Sequence, residues 1–177
     1  MDFYLGIDIG TSRVKAVLFD ERFQACASAA QNTGPRLSAN GHAEQDMAQL
    51  WQSVVAILRD IARYPALQSG RLRAIGLAGQ GEGVWLSDAE GEPVGPGILW
   101  SDTRSRDLMS ELLSRPGFDR RFFDDTGTHL QPCNTSMQLY WLKHHRPERL
   151  AAARYLFFAK DWIRFRLTGG AALDLTH

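Results

Sequence analysis

The fold of this chain is decided near its start, by the stretch Leu5-Gly6-Ile7-Asp8-Ile9-Gly10-Thr11-Ser12-Arg13-Val14-Lys15-Ala16-Val17-Leu18-Phe19-Asp20. Two apolar runs flank a short turn of glycine and hydroxyl residues, which predicts a hairpin with strands at 3–9 and 14–19. Because Gly10 has no side chain, the backbone of the turn can approach an anion, and successive N–H groups there can form an anion-binding concavity. The turn is therefore interpreted as a nucleotide phosphate site, with an ordinary Gly-Thr-Ser hairpin turn as the alternative.

The side chains around the turn suit phosphate chemistry. The hydroxyls of Thr11 and Ser12 add hydrogen-bond donors. Asp8, at the end of the first apolar run, can bind Mg²⁺ directly or through water because this ion prefers oxygen ligands. The alternative for Asp8 is that it only terminates a strand. A Walker loop is excluded, since the Lys-Ser/Thr pair after a second glycine is missing.

Composition bounds the class of protein. The chain has 177 residues with 20 basic and 20 acidic side chains, so its formal net charge is zero. This length suits one domain, and the balanced charge gives no indication of nucleic-acid or anionic-membrane binding. The first residues show neither a basic leader nor a long apolar stretch, so no signal peptide or membrane span is predicted and a cytoplasmic location is expected. Cys26 and Cys133 are predicted to be free, buried thiols rather than part of a disulfide framework or zinc site.

The first half of the chain alternates strand and loop patterns before one long helix. A third strand is predicted at 24–30 and a loop at 31–44. A long helix is predicted after Asp46, because the apolar residues that follow keep helical spacing. Asp46 is predicted to cap the start of this helix, and Pro65 is predicted to end it. A further strand is predicted at 72–78.

The second half reads mainly as helices. Starts are predicted at Asn134 or Thr135 and at Pro147, and a helix over 161–167 is predicted to stop at Gly169-Gly170. Strands early and helices late indicate an α/β domain with a mixed sheet.

Five motifs in this order resemble the FGGY carbohydrate kinases, most closely the xylulose and L-xylulose kinases. The opening Gly-Ile-Asp-Ile-Gly-Thr-Ser is similar to the first phosphate motif of the wider sugar-kinase, actin and heat-shock ATPase superfamily. The other resembling segments are Ala43-Glu44-Gln45-Asp46 with Leu50-Trp51, Ala74-Ile75-Gly76-Leu77-Ala78-Gly79-Gln80, Ile98-Leu99-Trp100-Ser101-Asp102-Thr103-Arg104, and Lys160-Asp161-Trp162 with Leu167-Thr168-Gly169. The resemblance runs from about Tyr4 to Asp174.

The resemblance implies a fold and a domain organisation. The chain would be an actin-like domain of ribonuclease H-like type, α/β, with a mixed five-stranded sheet flanked by helices. Residues 1–177 would form the N-terminal domain, and sugar and ATP would meet in the cleft between it and a second, C-terminal domain. That second domain, which carries the family's catalytic aspartate and most adenosine contacts, is expected to be absent from this chain.

The resemblance also implies roles for individual residues. Asp8 would organise Mg²⁺, and the ATP phosphates would be contacted by Gly10, Thr11, Ser12 and Lys15. The sugar would be contacted at Gly81, Glu82 and Trp100, while Asp102 and Arg104 would fix hydroxyls or order the loop that does so.

Each sugar-site residue has an alternative reading. Glu82 could be a solvated loop residue, and Asp102 is as readily a helix N-cap as a ligand. Trp100 could belong to the core. The pair Gly81-Glu82 departs from both common pairs at that position in the family. A carboxylate there accepts hydrogen bonds from hydroxyls and repels anions, which favours a neutral sugar or polyol over a sugar acid.

The implied function is ATP-dependent phosphorylation of a ketopentose such as xylulose, with ATP and Mg²⁺ as cofactors. This chain would supply the phosphate loop and the sugar-binding half, and would be inactive alone because the catalytic base lies elsewhere. Its partners would be the small-molecule sugar and ATP, with a homodimer possible. The alternatives are a non-catalytic sugar- or nucleotide-binding module and an actin-like structural protein, which would polymerise.

Overall fold

The computed structural model describes residues 1–174, which form nine strands and seven helices. The strands are β1 (Asp2–Ile9), β2 (Arg13–Asp20), β3 (Ala25–Asn32), β4 (Arg36–Leu37), β5 (Ala43–Gln45), β6 (Arg71–Gly79), β7 (Trp85–Ser87), β8 (Gly97–Ile98) and β9 (Tyr155–Phe157). The helices are α1 (Met47–Ala62), α2 (Pro65–Ser69), α3 (Arg106–Leu113), α4 (Phe118–Thr126), α5 (Thr135–His145), α6 (Pro147–Ala152) and α7 (Ala159–Thr168).

The central sheet is mixed, in the order β3-β2-β1-β6. β1 pairs antiparallel with β2 and parallel with β6, so the α/β fold with a mixed sheet and flanking helices is confirmed. The expected count of five strands is wrong for residues 1–174, which place four strands in this sheet. Strand β9 pairs with β7 in a separate two-stranded sheet, in the register Leu86↔Leu156.

Strict alternation in the hairpin builds the main core. Successive side chains of a strand point to opposite faces, so one face of β1 and β2 collects the apolar residues. Helix α1 covers this face with apolar side chains at helical spacing. The buried residues of the two layers include Phe3, Leu5, Ile7, Ile9, Val14, Ala16, Leu18, Leu50, Val54 and Ile57.

The long helix begins as predicted and ends earlier than predicted. The Asp46 carboxylate accepts a hydrogen bond from the Gln49 N–H at 3.0 Å, which caps α1. The prediction that Pro65 ends this helix is wrong. The N–H of Arg63 already closes the last turn on carbonyls of the helix, and Pro65 is the first residue of α2, where its missing N–H costs no hydrogen bond.

The predictions for the later helices are confirmed, whereas the prediction of a loop at 31–44 is only partly right. Asn134 is the N-cap of α5, Pro147 lies in the first turn of α6, and Gly169 ends α7 with φ +71°, as predicted. The loop is wrong in part, because β3 runs on to Asn32 and the two short strands β4 and β5 pair antiparallel within it. No helix within residues 1–174 is both long and apolar enough to cross a membrane.

Candidate active site

One face of the central sheet carries a pair of opposite charges. Asp8 and Lys15 are cross-strand partners on β1 and β2, and both are exposed. Alternation points them away from the face that α1 covers. They line an open depression of about 540 Å³ together with small residues such as Gly6 and Gly76. A carboxylate and an ammonium group are therefore presented side by side above a floor that leaves room for a ligand.

The turn after β1 is closed by its own backbone. The N–H of Gly10 donates to the carbonyl oxygen of Arg13 at 3.1 Å, and a Cβ atom on Gly10 would lie 2.6 Å from that oxygen. The geometry of the turn thus requires glycine whether or not an anion binds. In the part of the chain that the structure describes, the N–H groups of Thr11 and Ser12 have no acceptor, so these two amides are the ones free to meet a phosphate.

Trp100 lies beside the turn at 10–13, which is called the phosphate turn after its predicted role. Its indole N–H donates to Thr11 Oγ1 at 3.1 Å, although the residues are 89 positions apart in the sequence. The side chain of Trp100 remains 52% exposed, so the alternative that it belongs to the core is wrong. A ring held at its polar edge and open on its faces can pack against the carbons of a sugar.

Glu82 is held by the start of α5. Its carboxylate accepts hydrogen bonds from the Thr135 N–H at 3.2 Å and the Asn134 side-chain amide at 3.4 Å, while the Thr135 hydroxyl donates to the Gly83 carbonyl at 3.0 Å. A carboxylate at a helix N-terminus is also favoured by the helix dipole. Glu82 has φ +55°, a region that residues other than glycine seldom occupy. The alternative of a freely solvated loop residue is therefore wrong, and Gly81 beside it adds no side chain to the site.

Cys133 shares the environment of this carboxylate, which sequence reasoning missed. Burial and the negative charge of Glu82 raise the pKa of the Cys133 thiol. Cys26 and Cys133 are both free as predicted, but each is half-buried rather than buried. The one available signal for Cys133 was its place directly before Asn134 and Thr135, the predicted helix start.

Asp102 is fully buried, and both of its carboxylate oxygens accept hydrogen bonds from protein donors. It accepts the Ala43 N–H at 2.6 Å, and the Arg104 N–H and side chain at 2.8–2.9 Å. The interpretation of Asp102 as a helix N-cap is wrong, because Ser105 is the N-cap of α3. The carboxylate instead ties the segment after β8 to β5.

Arg104 completes this buried ion-pair group. Its side chain is 2% exposed and bridges Asp102 and Glu44, each at 2.8 Å, and it lies 5.0 Å from the centre of the Trp141 ring. Burial opposes the charged form, but the hydrogen bonds to Asp102 and Glu44 outweigh burial, so the pKa of Arg104 is raised. Of the two expected roles for these residues, ordering the loop fits this geometry better than direct contact with hydroxyls.

The donor set for a metal is small. Within residues 1–174, no group of three or more histidine, cysteine or acidic side chains is placed to hold a metal ion. Asp8 is a single exposed carboxylate at the phosphate turn. That arrangement fits Mg²⁺, which proteins commonly hold through one or two carboxylates plus substrate phosphates and waters.

The chain is similar in sequence and in structure to known kinases. The chain is 37% identical to the erythritol kinase of Brucella abortus (strain 2308) over 98% of its length and 33% of that protein. It is 33% identical to a probable L-xylulose kinase of Pasteurella multocida (strain Pm70) over 96% of the chain and 35% of that protein. The crystal structure of xylulose kinase from Rhodospirillum rubrum superposes with a TM-score of 0.88 at 28% identity, over 97% of this chain and 35% of that one.

The chain thus spans about a third of the length of these relatives. Residues 3–177 match the model of the N-terminal domain of the FGGY family of carbohydrate kinases. Because that match covers nearly the whole sequence, the chain belongs to the FGGY family of carbohydrate kinases.

Proposed function

We propose that this chain is the N-terminal, sugar- and phosphate-binding half of a kinase that transfers the γ-phosphoryl group of ATP to a ketopentose such as xylulose. The observation that carries the proposal is the hydrogen bond between Trp100 and Thr11, which sets a half-exposed aromatic ring beside the phosphate turn. Phosphoryl transfer depends mainly on holding donor and acceptor in place and on neutralising charge. A sugar platform adjoining a phosphate turn meets the first requirement.

The charged residues would divide this work. Mg²⁺ bound through Asp8 and the ATP phosphates would offset charge on the phosphoryl group. Lys15, the cross-strand partner of Asp8, and the free N–H groups of Thr11 and Ser12 would bind phosphate oxygens. Glu82 would accept hydrogen bonds from sugar hydroxyls. The chain offers no assigned base for the hydroxyl proton, and we place that group in a second domain.

Several relatives are named for neutral substrates. Those named as L-xylulose and xylulose kinases favour a ketopentose. The erythritol kinase of Brucella abortus makes a four-carbon polyol the rival substrate. Glu82 supports either one over a sugar acid, because its negative charge repels a carboxylate.

Binding and turnover by the purified chain test the proposal. Calorimetry with xylulose, L-xylulose, erythritol, glycerol and gluconate, and ADP release with MgATP and each compound, are the measurements. We expect binding of a neutral sugar or polyol, no binding of gluconate and no sugar-dependent ADP release. Turnover by the isolated chain would show that the base lies within it. Absence of both sugar and nucleotide binding would overturn the proposal.

The Trp100→Ala variant locates the sugar. It should lose most sugar binding, whereas Trp51→Ala, on α1, should retain it if the variant remains folded by circular dichroism. Equal affinity in wild type and Trp100→Ala would remove the platform from the site. A module that binds sugar but never supports transfer, even when joined to a complete second domain, would favour the non-catalytic alternative.

A further inference from the structure

A chain of polar side chains joins the phosphate turn to the sugar platform. Thr11 Oγ1 donates to Gln80 Oε1 at 3.0 Å, and Gln80 Nε2 donates to Gln45 Oε1 at 3.1 Å. Gln45 Nε2 donates to the carbonyl oxygens of Thr33 at 2.9 Å and Thr11 at 3.2 Å. Trp100 Nε1 donates to Thr11 Oγ1 at 3.1 Å, which joins the indole ring to the same network. Residues as far apart in the sequence as Thr11, Gln45, Gln80 and Trp100 therefore share one hydrogen-bond network.

The direction of every bond in this network is fixed from both ends. Gln45 is 2% exposed and faces two carbonyl oxygens, which only accept, so its amide nitrogen must point to them and its oxygen to Gln80. Gln80 must then donate to Gln45 and accept from Thr11. At the other end the indole N–H of Trp100 can only donate, so the Thr11 hydroxyl oxygen must accept from it. The single hydroxyl proton of Thr11 is then donated to Gln80.

A fixed direction makes the network rigid. No member can reverse without leaving a donor facing a donor or an acceptor facing an acceptor, and such a mismatch costs most at Gln45, which is 2% exposed. The hydroxyl proton of Thr11 is committed to Gln80, so the Thr11 hydroxyl serves as a joint between Trp100 and the turn. Its backbone N–H stays available for phosphate.

We propose that Gln80 is a positioning residue that couples the phosphate turn to the sugar platform, so that a sugar on Trp100 and a phosphate at Thr11 and Ser12 strengthen each other's binding. This inference rests on the proposed function and goes beyond it, because it assigns Gln80 and Gln45 a role without contact to either ligand. Ordering Trp100 with a sugar orders Thr11 through the indole bond, and ordering the turn with phosphate orders Trp100. Such coupling is reciprocal, so each ligand must raise the affinity of the other by the same factor.

The first experiment needs no ligand. Acrylamide quenching of Trp100 is obtained as the difference between each protein and its Trp100→Phe counterpart. Gln80→Met keeps the length of the side chain and removes both hydrogen bonds, so we expect quenching of Trp100 to rise. Gln52→Met, the same substitution on the exposed face of α1, should leave it unchanged. Equal quenching in wild type and Gln80→Met would overturn the positioning role whatever the chain binds.

The second experiment measures coupling. The Kd for xylulose is determined by calorimetry with and without MgADP, and we expect MgADP to tighten it about fivefold in the wild type. In Gln80→Met and Thr11→Val the factor should fall to about one, and Thr11→Ser, which keeps the hydroxyl, should restore it. Thermal unfolding of each variant separates this loss from a loss of folded protein.

The outcomes separate the two proposals. Binding of both ligands with the same coupling in wild type and Gln80→Met overturns the inference and leaves the proposed function standing. Binding of neither ligand by folded wild-type chain overturns both. Loss of coupling in Gln80→Met with each separate Kd changed less than twofold supports both.

Discussion

Glu82 and Asp102 are both carboxylates that follow a strand of this domain, and the sequence places both near the sugar, yet their surroundings are opposite. Asp102 is fully buried and meets two backbone N–H groups and a buried guanidinium at 2.6–2.9 Å. Glu82 is half-buried and is held by longer bonds of 3.2–3.4 Å from the start of α5. The comparison separates a carboxylate that builds the site from one that remains able to exchange partners with a ligand.

Removing the buried carboxylate should have the largest effect. Asp102→Ala leaves the Arg104 guanidinium, whose side chain is 2% exposed, without its main partner and the Ala43 N–H without an acceptor. We expect a loss of about 3 kcal/mol in the free energy of unfolding, measured by urea denaturation. Asp107→Ala, at an exposed position in the first turn of α3, is the matched control and should change stability little. A loss of less than about 1 kcal/mol for Asp102→Ala would mean that the buried group does not hold the loop.

Substitution in the phosphate turn, like that of Asp102, should mainly affect stability. In Gly10→Ala the new Cβ atom would lie 2.6 Å from the carbonyl oxygen of Arg13, so the turn must open. We expect a loss of about 1–3 kcal/mol in unfolding free energy. Gly34→Ala adds the same atom where nothing lies within 4 Å, and its effect should stay within about 1 kcal/mol. Equal effects of the two substitutions would show that the turn tolerates a side chain.

Substitution of the half-buried carboxylate should change binding more than stability. If the proposed function holds, Glu82→Ala removes an acceptor for sugar hydroxyls and should raise the Kd for xylulose about tenfold, measured by calorimetry. Glu90→Ala, which removes an exposed carboxylate from the turn after β7, should leave the Kd unchanged. An unaltered affinity of Glu82→Ala for every sugar that the wild type binds would take Glu82 out of the site.

The smallest expected effect reports on the charge of Glu82 itself. The raised pKa of Cys133 lowers its thiolate fraction near neutral pH, so in a Cys26→Ser background it should react with iodoacetamide more slowly than an unfolded cysteine peptide. Glu82→Gln removes one of the two causes of the raised pKa and should speed the reaction, while burial still slows it. Glu90→Gln serves as the control. An equal reaction rate in wild-type and Glu82→Gln protein of that background would mean that the Glu82 carboxylate does not affect the pKa of the Cys133 thiol.

Local patterns predicted the framework of the domain well. The hairpin of β1 and β2, the Asp46 cap and the starts of α5 and α6 follow from alternation, capping and proline rules, all of which act over a few residues. The strand count was wrong because it was carried over from the family resemblance. Local patterns do not show which strands pair: β9 is three residues long, and its partner β7 lies about 70 positions away in the sequence.

The sequence grouped candidate-site residues whose surroundings differ in the structure. The motif at 98–104 marked Trp100, Asp102 and Arg104 together, but the structure turns the ring of Trp100 toward solvent and buries the ion pair behind it. Neighbouring residues of one motif can point in opposite directions, so spacing alone could not distinguish them. Gln45 and Gln80 appeared in the resembling segments without any assigned role, because the role of a side-chain amide depends on which groups it hydrogen-bonds in the folded protein.

By itself the sequence determined the family and the hairpin with its tight glycine turn, because these depend on local pattern and on short motifs in a fixed order. Only the tertiary structure decided that Asp102 holds the loop, that Glu82 is held by α5, and that Gln80 connects Thr11 with the end of β5. The physical reason is that burial and hydrogen-bond partners are properties of contacts between segments. The same carboxylate becomes a structural anchor or a binding group according to what those contacts leave free.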